Sequence, residues 1–347
     1  MARGRRAAPP GSAGAHKPDE RGSAIHQGLV GARALVGTPY LADPALRREY
    51  ARDIAPRTRA ALSKILSEAF PGGGPAPRRA LDLGTGTGAA GEALQAHFGD
   101  ALDVVGVDRV AADGVVTANL AVELPAVEGR FDLIVAAHLL GELYVERPAD
   151  QRVAARARRV RAWATALLAR GGTMILLEPA LRDTSRELLG VRDQLLAVSD
   201  LEIVAPCFWA GPCPALANLR DWCHDAAQAQ TPSGPGMPSG PRVDFSYLVL
   251  REAKRVPGGE PLYRIVSDPL PEKGRLKLYG CGASGRHPFI RLDRHAAPGN
   301  AAFAELSRGD VARISGTAKA NDGLRIEAEA TVERLPSPRP SPASGRG

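Results

Sequence analysis

The chain has 347 residues, 45 basic against 38 acidic, for a formal charge of +7; six of the basic residues are lysine and thirty-nine arginine. Apolar residues make up 44%, enough for a core and too many for a disordered chain, and the length allows roughly two domains at about 150 residues each. No apolar run approaches the ~20 residues of a membrane helix, four cysteines are too few for a disulfide-dense secreted scaffold, and the start MARGRRAAPPGSAG lacks the apolar centre of a secretory signal.

Residues 1–34 are rich in Arg, Gly, Ala, Pro and Ser without periodicity, which predicts a flexible basic arm. Asp43-Pro44 reads as an N-cap followed by proline at the first helical position. After Pro56, a helical stripe follows in Leu62, Ile65, Leu66, Ala69 and Phe70. Ala80–Leu83 is a strand that ends in glycines, and Ala89–Phe98 is the helix after it. A second strand, Leu102–Val107, ends in Asp108; Phe131–Ala137 and Thr173–Leu177 are further strands, separated by a helix from about Gln151 to Ala169. This alternation predicts an α/β fold over residues 35–255, with a mostly parallel sheet covered on both faces. Val243–Arg251 is a late strand of the same sheet, residues 206–224 a cysteine-rich insertion, and residues 228–242 a surface loop. Between 256 and 335 the pattern changes to short alternating stretches (Arg264–Val266, Arg275–Tyr279, Val311–Ile314, Leu324–Val332), a small β-rich module; residues 336–347 are a low-complexity tail.

The run Asp82-Leu83-Gly84-Thr85-Gly86-Thr87-Gly88 joins the first strand to its helix. Glycines are needed where backbone turns sharply and approaches a ligand. Residues 84, 86 and 89 also satisfy the dinucleotide fingerprint, so NAD binding is an alternative. Asp82, two residues before the first glycine, favours the pattern D-x-G-x-G-x-G, which resembles the first motif of class I S-adenosylmethionine (SAM)-dependent methyltransferases. In that fold the acidic residue faces the methionine part of the cofactor, and Asp108 stands where a ribose is held. Methyl transfer needs little beyond placing the acceptor in line. The Asp/Asn-Pro-Pro-aromatic tetrad of many amino-methylating enzymes is absent after Phe131–Ala137. His138 and Glu142 stand there as candidate general bases, though a structural histidine and a helix-start glutamate are the commoner explanations.

Three cysteines fall in one Pro-rich segment, Cys207, Cys213 and Cys223, and the fourth is Cys281 in LYGCGASG. Four is the ligand count of a structural zinc or of an iron–sulfur cluster. No C-x-x-C pair of a zinc ribbon is present, and prolines beside Cys207 and Cys213 suit cluster ligands, so [4Fe–4S] is favoured and zinc is the alternative. Phe208, Trp209 and Trp222 are candidates to shield such a site, although core packing is the simpler role for aromatics. On the helix after Gln151, Arg152, Arg156 and Arg159 share a face, with Arg158 and Arg161 beside them, opposite Val153, Ala157, Val160, Ala164 and Leu167. Such a face suits neutralising several phosphates, and a merely solvated amphipathic face is the alternative.

The D-x-G-x-G-x-G loop, LLGEL, GGTMILLEP, the helix with Arg192 and Leu195-Leu196, the Cys…Cys-Pro…Trp-Cys-His segment and FSYLVLR together resemble a known family. It is that of the methyltransferase-like assembly factors of the mitochondrial small ribosomal subunit, which have bacterial relatives. The resemblance spans roughly residues 38 to 315. It implies a class I methyltransferase sheet, binding of SAM and of a [4Fe–4S] cluster, and association with small-subunit ribosomal RNA. Carried onto this chain, the cluster ligands are Cys207, Cys213, Cys223 and Cys281, and the SAM loop is Asp82, Gly84, Gly86 and Gly88. Ala215 follows the Cys-Pro pair where a histidine is usual, and Gly309-Asp310 is what remains of a Trp-Gly-Asp. The expectations are a SAM-binding, cluster-containing factor of the small ribosomal subunit, a monomer with no membrane partner, in a bacterial cytoplasm or, alternatively, a mitochondrial matrix. The alternatives are an active SAM-dependent RNA methyltransferase and a zinc-containing NAD-dependent oxidoreductase.

Overall fold

The computed structural model describes residues 24–71, 75–198, 201–229, 242–252 and 261–336. In chain order the first unit runs α1 (Ala24–His26), α2 (Pro44–Asp53), α3 (Ala55–Ala69), β1 (Arg79–Leu83), α4 (Ala89–Phe98), β2 (Asp103–Asp108) and β3 (Val115–Thr117). It continues with β4 (Phe131–Ala137), α5 (Ala149–Leu167), β5 (Leu168–Pro179), α6 (Arg182–Val198), β6 (Leu201–Ala205), β7 (Asp225–Gln228) and β8 (Arg242–Glu252). The second unit holds β9 (Leu262–Ile265), β10 (Leu270–Glu272), β11 (Arg275–Gly282), β12 (Gly285–Leu292), β13 (Val311–Ala320) and β14 (Gly323–Leu335).

The first sheet has the order β3-β2-β1-β4-β5-β8-β6, with β7 on β8. Strands β1 to β5 pair in parallel, whereas β8 lies antiparallel between β5 and β6. This is the order of class I methyltransferase sheets, as the resemblance implies. Period-two alternation sends Leu81, Leu83, Ile134 and Ala136 to a face covered by Val160, Trp163 and Leu195 of α5 and α6. Ala80, Leu133 and Val135 pack on the other face under Leu62, Ile65, Leu66 and Leu94 of α3 and α4. Asp43 caps α2 through the Ala45 amide (2.7 Å), as the Asp-Pro pair predicts.

The second sheet closes on itself. β9 pairs antiparallel with both β11 and β13, β11 with β12, β13 with β14, and β12 runs parallel to β14. The result is a five-stranded Greek-key barrel with β10 as an outer ribbon on β11. Its core is Ile265, Leu278, Phe289, Ile314 and Ile326, with Phe303 of the turn Pro298–Ala304 plugging it.

A buried ion pair joins the two units, and contacts within each unit support it. Arg264 of β9 donates to Glu68 of α3 and to the Gly309 carbonyl (2.7 Å), and the Tyr247 hydroxyl of β8 donates to Glu68 (2.7 Å). Lys64 pairs with Asp225 at 2.7 Å. Gly309 has φ +90° at this seam, where a Cβ would collide with the Asp225 carboxylate, so the Gly-Asp pair is explained by close approach.

Part of the basic arm is ordered. Residues 24–31 are helical, and Ile25 is buried with its amide bonded to Glu49 (3.1 Å); an apolar anchor overrides the arm's composition. The rest of the arm (1–23), most of the loop (230–241) and most of the tail (337–347) lie outside the described residues. Gln228 and Arg242, placed at the ends of the loop, belong to strands β7 and β8. Among the described residues, no helix is long and apolar enough to cross a membrane.

Candidate functional site

The glycine loop lies between β1 and α4, at the carboxyl ends of the strands where open parallel sheets bind ligands. Gly84, Gly86 and Gly88 have φ of +75°, +54° and +87°, a region that costs other residues about 1–2 kcal/mol each. The amides of Gly84 and Thr85 both donate to the Val107 carbonyl at the end of β2 (2.8 and 3.0 Å). Asp108 accepts the Gly86 amide (2.8 Å) and the Val110 amide (2.9 Å), so it fixes the loop it follows in space. Asp82 is almost fully buried; Thr85 donates to its Oδ2 (2.8 Å) while its Oδ1 has no partner. Burial pushes the Asp82 carboxyl up to about 6.

Two further buried atoms here are orphaned, Thr87 Oγ1 and His138 Nδ1. Buried polar groups are normally paired, and these three atoms, in β1, in the glycine loop and just after β4, are not. His138 has φ +56°, and burial pushes its imidazole down to about 4, which leaves it neutral and weakly basic at neutral pH. Glu142 is already engaged: Tyr40 donates to it (2.9 Å) and Arg109 pairs with it (3.1 Å). Burial holds Glu142 up at about 7, against the pull of both partners. Arg109 also donates to the carbonyls of Gly37 (2.8 Å) and Thr38, and Arg47 to that of Gly86 (3.1 Å). Residues 37–47 thus lie against the loop, and Glu142 serves as their anchor.

All four cysteines are half-buried free thiols. Cys207 follows β6, Cys213 opens the turn Pro214–Ala217, Cys223 precedes β7, and Cys281 lies in β11 opposite Arg286. Each raised thiol responds first to burial and then to its fellow cysteines. Cys213 rises to about 11 with Cys207 as the next cause, and Cys281 to about 12 through Cys207 and Cys213. Cys223 rises further, through Cys207, Cys213 and Cys281. Among the described residues, no group of three or more His, Cys, Asp or Glu stands at the spacing of ligands to one metal ion.

The segment between these thiols has little regular structure and is held by α6. Arg192 bonds Cys207 and donates to the carbonyls of Gly211 (2.9 Å) and Trp209. Asp193 accepts the Cys213 amide (2.9 Å). Arg186 donates to the carbonyls of Ala215 (3.0 Å), Asn218 (2.7 Å) and Asp221 (2.7 Å). Asp193 and Arg186 have no signal in the sequence, because a charge pair on a helix reads as solvated until the segment it holds is known. Trp222 is 38% exposed and stacks on His224 instead of shielding the thiols.

The arginine row of α5 is also corrected. Arg156 is buried, paired with Glu187 and bonded to the carbonyls of Leu143 and Gly141. Arg152 pairs with Glu187 as well, and Arg159 donates to Tyr144 and to the Ala121 carbonyl. These side chains clamp loops and the neighbouring helix, so they are not a free phosphate-binding face.

Residues 48–288 match the model of a family described as mitochondrial small ribosomal subunit Rsm22. No curated protein matches the chain. Similar solved structures include the plantazolicin methyltransferase BpumL in complex with SAH, at 11% identity over 66% of this chain and 98% of that one (TM-score 0.39). The mitomycin 7-O-methyltransferase MmcR is 17% identical over 61% of this chain and 58% of its own (TM-score 0.35). TrmN from Thermus thermophilus is 17% identical over 58% and 52% (TM-score 0.31). At these scores the fold rests on strand order alone.

Proposed function

The chain belongs to the Rsm22 family, and on that premise we propose that it is a methyltransferase-fold factor of the small ribosomal subunit that binds SAM and a [4Fe–4S] cluster. Asp82, Gly84, Gly86, Gly88 and Asp108 would hold SAM. Its charged methionine end would meet the orphaned Asp82 oxygen, and the space beside Gly88, where a Cβ would touch nothing within 4 Å, would admit it. Cys207, Cys213, Cys223 and Cys281 would hold the cluster, a structural link between the sheet unit and the barrel. Family membership leaves the NAD-dependent alternative without support.

One observation supports the cluster: Cys207, Cys213 and Cys223 of the first unit and Cys281 of the barrel are all free thiols, the ligand count of such a cluster. Anaerobic purification with iron, sulfide and zinc analysis tests this. Four irons and four sulfides per chain, lost in Cys281→Ser, are expected; one zinc per chain, or no metal, would overturn the cluster.

An active RNA methyltransferase is a second reading, favoured by the orphaned polar atoms of Asp82, Thr87 and His138. Glu142 is engaged and His138 is a weak base, so methyl transfer here would depend on positioning alone. Methyl incorporation into small-subunit RNA that survives His138→Ala and disappears in Gly86→Arg would decide for it.

A further inference from the structure

We propose that the outer side of strands β11 and β12 binds single-stranded RNA, with Tyr279 as the surface on which a base stacks. The inference deepens the small-subunit reading and rests on it for the kind of nucleic acid. The barrel's strand order, β9-β11-β12-β14-β13 and back to β9, is that of the OB-fold, whose second and third strands offer a ligand face. Fold alone does not give function, so the residues on that face must carry the claim. Leu278 and Phe289 point into the barrel and are fully buried. Alternation then puts Lys277, Tyr279 and Cys281 on the outer side of β11, with Arg286 across from Cys281.

Tyr279 is half-buried, and two cations lie over its ring. Lys277 Nζ lies 4.8 Å and Arg286 Cζ 4.6 Å from the ring centroid. Such a ring suits a base that takes the place of Lys277 on its face while the displaced ammonium turns to a flanking phosphate. Lys277 makes no ion pair among the described residues, whereas Arg275 and Arg325, nearer the ends, are held by Glu272 and Asp322. Arg286 also pairs with Asp221 of the cysteine segment at 2.7 Å. An uncharged oligosaccharide would make no use of these cations, and a duplex would present no free base to the ring. Because Cys281 sits on the same row as Tyr279, two residues on, the thiol site fixes one end of the RNA face.

The test is fluorescence anisotropy of the full-length, anaerobically purified protein with a labelled 12-nucleotide single-stranded RNA. The same sequence as DNA and as duplex RNA serves as separate arms, and purified small subunits are assayed in parallel. Tyr279→Ala is expected to weaken RNA binding about tenfold and Tyr279→Phe to leave it near wild type. Lys277→Gln should reduce the slope of log affinity against log salt by about 0.7. Unchanged RNA binding in both Tyr279→Ala and Lys277→Gln, each with wild-type melting and iron content, would overturn the inference. So would equal or tighter binding of the duplex or of DNA. A wild-type protein that binds small subunits but not the oligonucleotide overturns the inference and leaves the ribosomal reading; one that binds neither overturns both.

Discussion

The glycine loop takes Gly84, Gly86 and Gly88 from five consecutive residues between one strand and one helix, whereas the thiols come from three stretches after β6 and from a strand of the barrel. The first site is therefore local: it needs β1, α4 and the end of β2, and nothing from beyond residue 142 enters the contacts described there. The second exists only while the two units stay docked, since Cys281 is placed by the barrel and its partners by the sheet unit. A local site tolerates trouble elsewhere in the molecule. A composite one inherits the stability of the seam.

The seam is where that contrast breaks most readily. Arg264 and Glu68 are 4% and 5% exposed, and removing one partner of such a pair leaves an uncompensated buried charge, at a cost of about 3–5 kcal/mol. Arg264→Ala is expected to lower the urea midpoint accordingly and to strip bound iron, while SAM still binds the folded fraction. A variant that melts early but keeps its iron would mean that the thiols do not depend on docking.

How much of this was legible follows the same division. The strands Ala80–Leu83, Phe131–Ala137 and Val243–Arg251 were legible because a buried strand announces itself by its own apolar residues, and Gly84–Gly88 because positive φ leaves glycine as its trace. The family pattern named the four cysteines, but nothing local says what holds their segment. Arg192 meets Trp209 and Gly211 seventeen and nineteen residues away, and Arg264 meets Glu68 at a separation of 196. The barrel was legible only as short alternating stretches, since closure is a matter of β9 pairing with two strands at once. The arginines of α5 misled for a related reason: spacing shows which side chains share a face, not what that face meets.

The local site is sharpened by pH. Asp82 in the free protein is held near 6, above the usual carboxylate range, by burial. Folding thus favours its neutral form, and its ionisation takes stability away as pH rises from about 4 through 6. A cationic cofactor end binds the carboxylate form, so SAM affinity should rise about tenfold between pH 5 and pH 7 as that form becomes the major one. Asp82→Asn should bind weakly and without this pH dependence, as read by calorimetric titration. A wild-type affinity that is flat over the same range would remove Asp82 from the cofactor site.

The smallest expected effect bears on the corrected face of α5. Arg152 and Arg158 lie six residues apart on one helix, and spacing alone gives both to solvent. In the fold, Arg152 is paired with Glu187 and donates to the Arg147 carbonyl (3.0 Å), whereas Arg158 is exposed. Hydrogen bonds to charged groups contribute about 1.5–3 kcal/mol, and Arg156 remains to hold Glu187, so Arg152→Gln should cost about 1.5 kcal/mol, the lower end of that range. Arg158→Gln should stay within about 0.5 kcal/mol of wild type, as an exposed substitution does. Neither should change the salt slope of RNA binding, because the phosphate contacts are assigned to the barrel. A slope reduced by about 0.7 in Arg152→Gln, with an unchanged melting curve, would move the RNA back to α5 and make the composite site a fastening only.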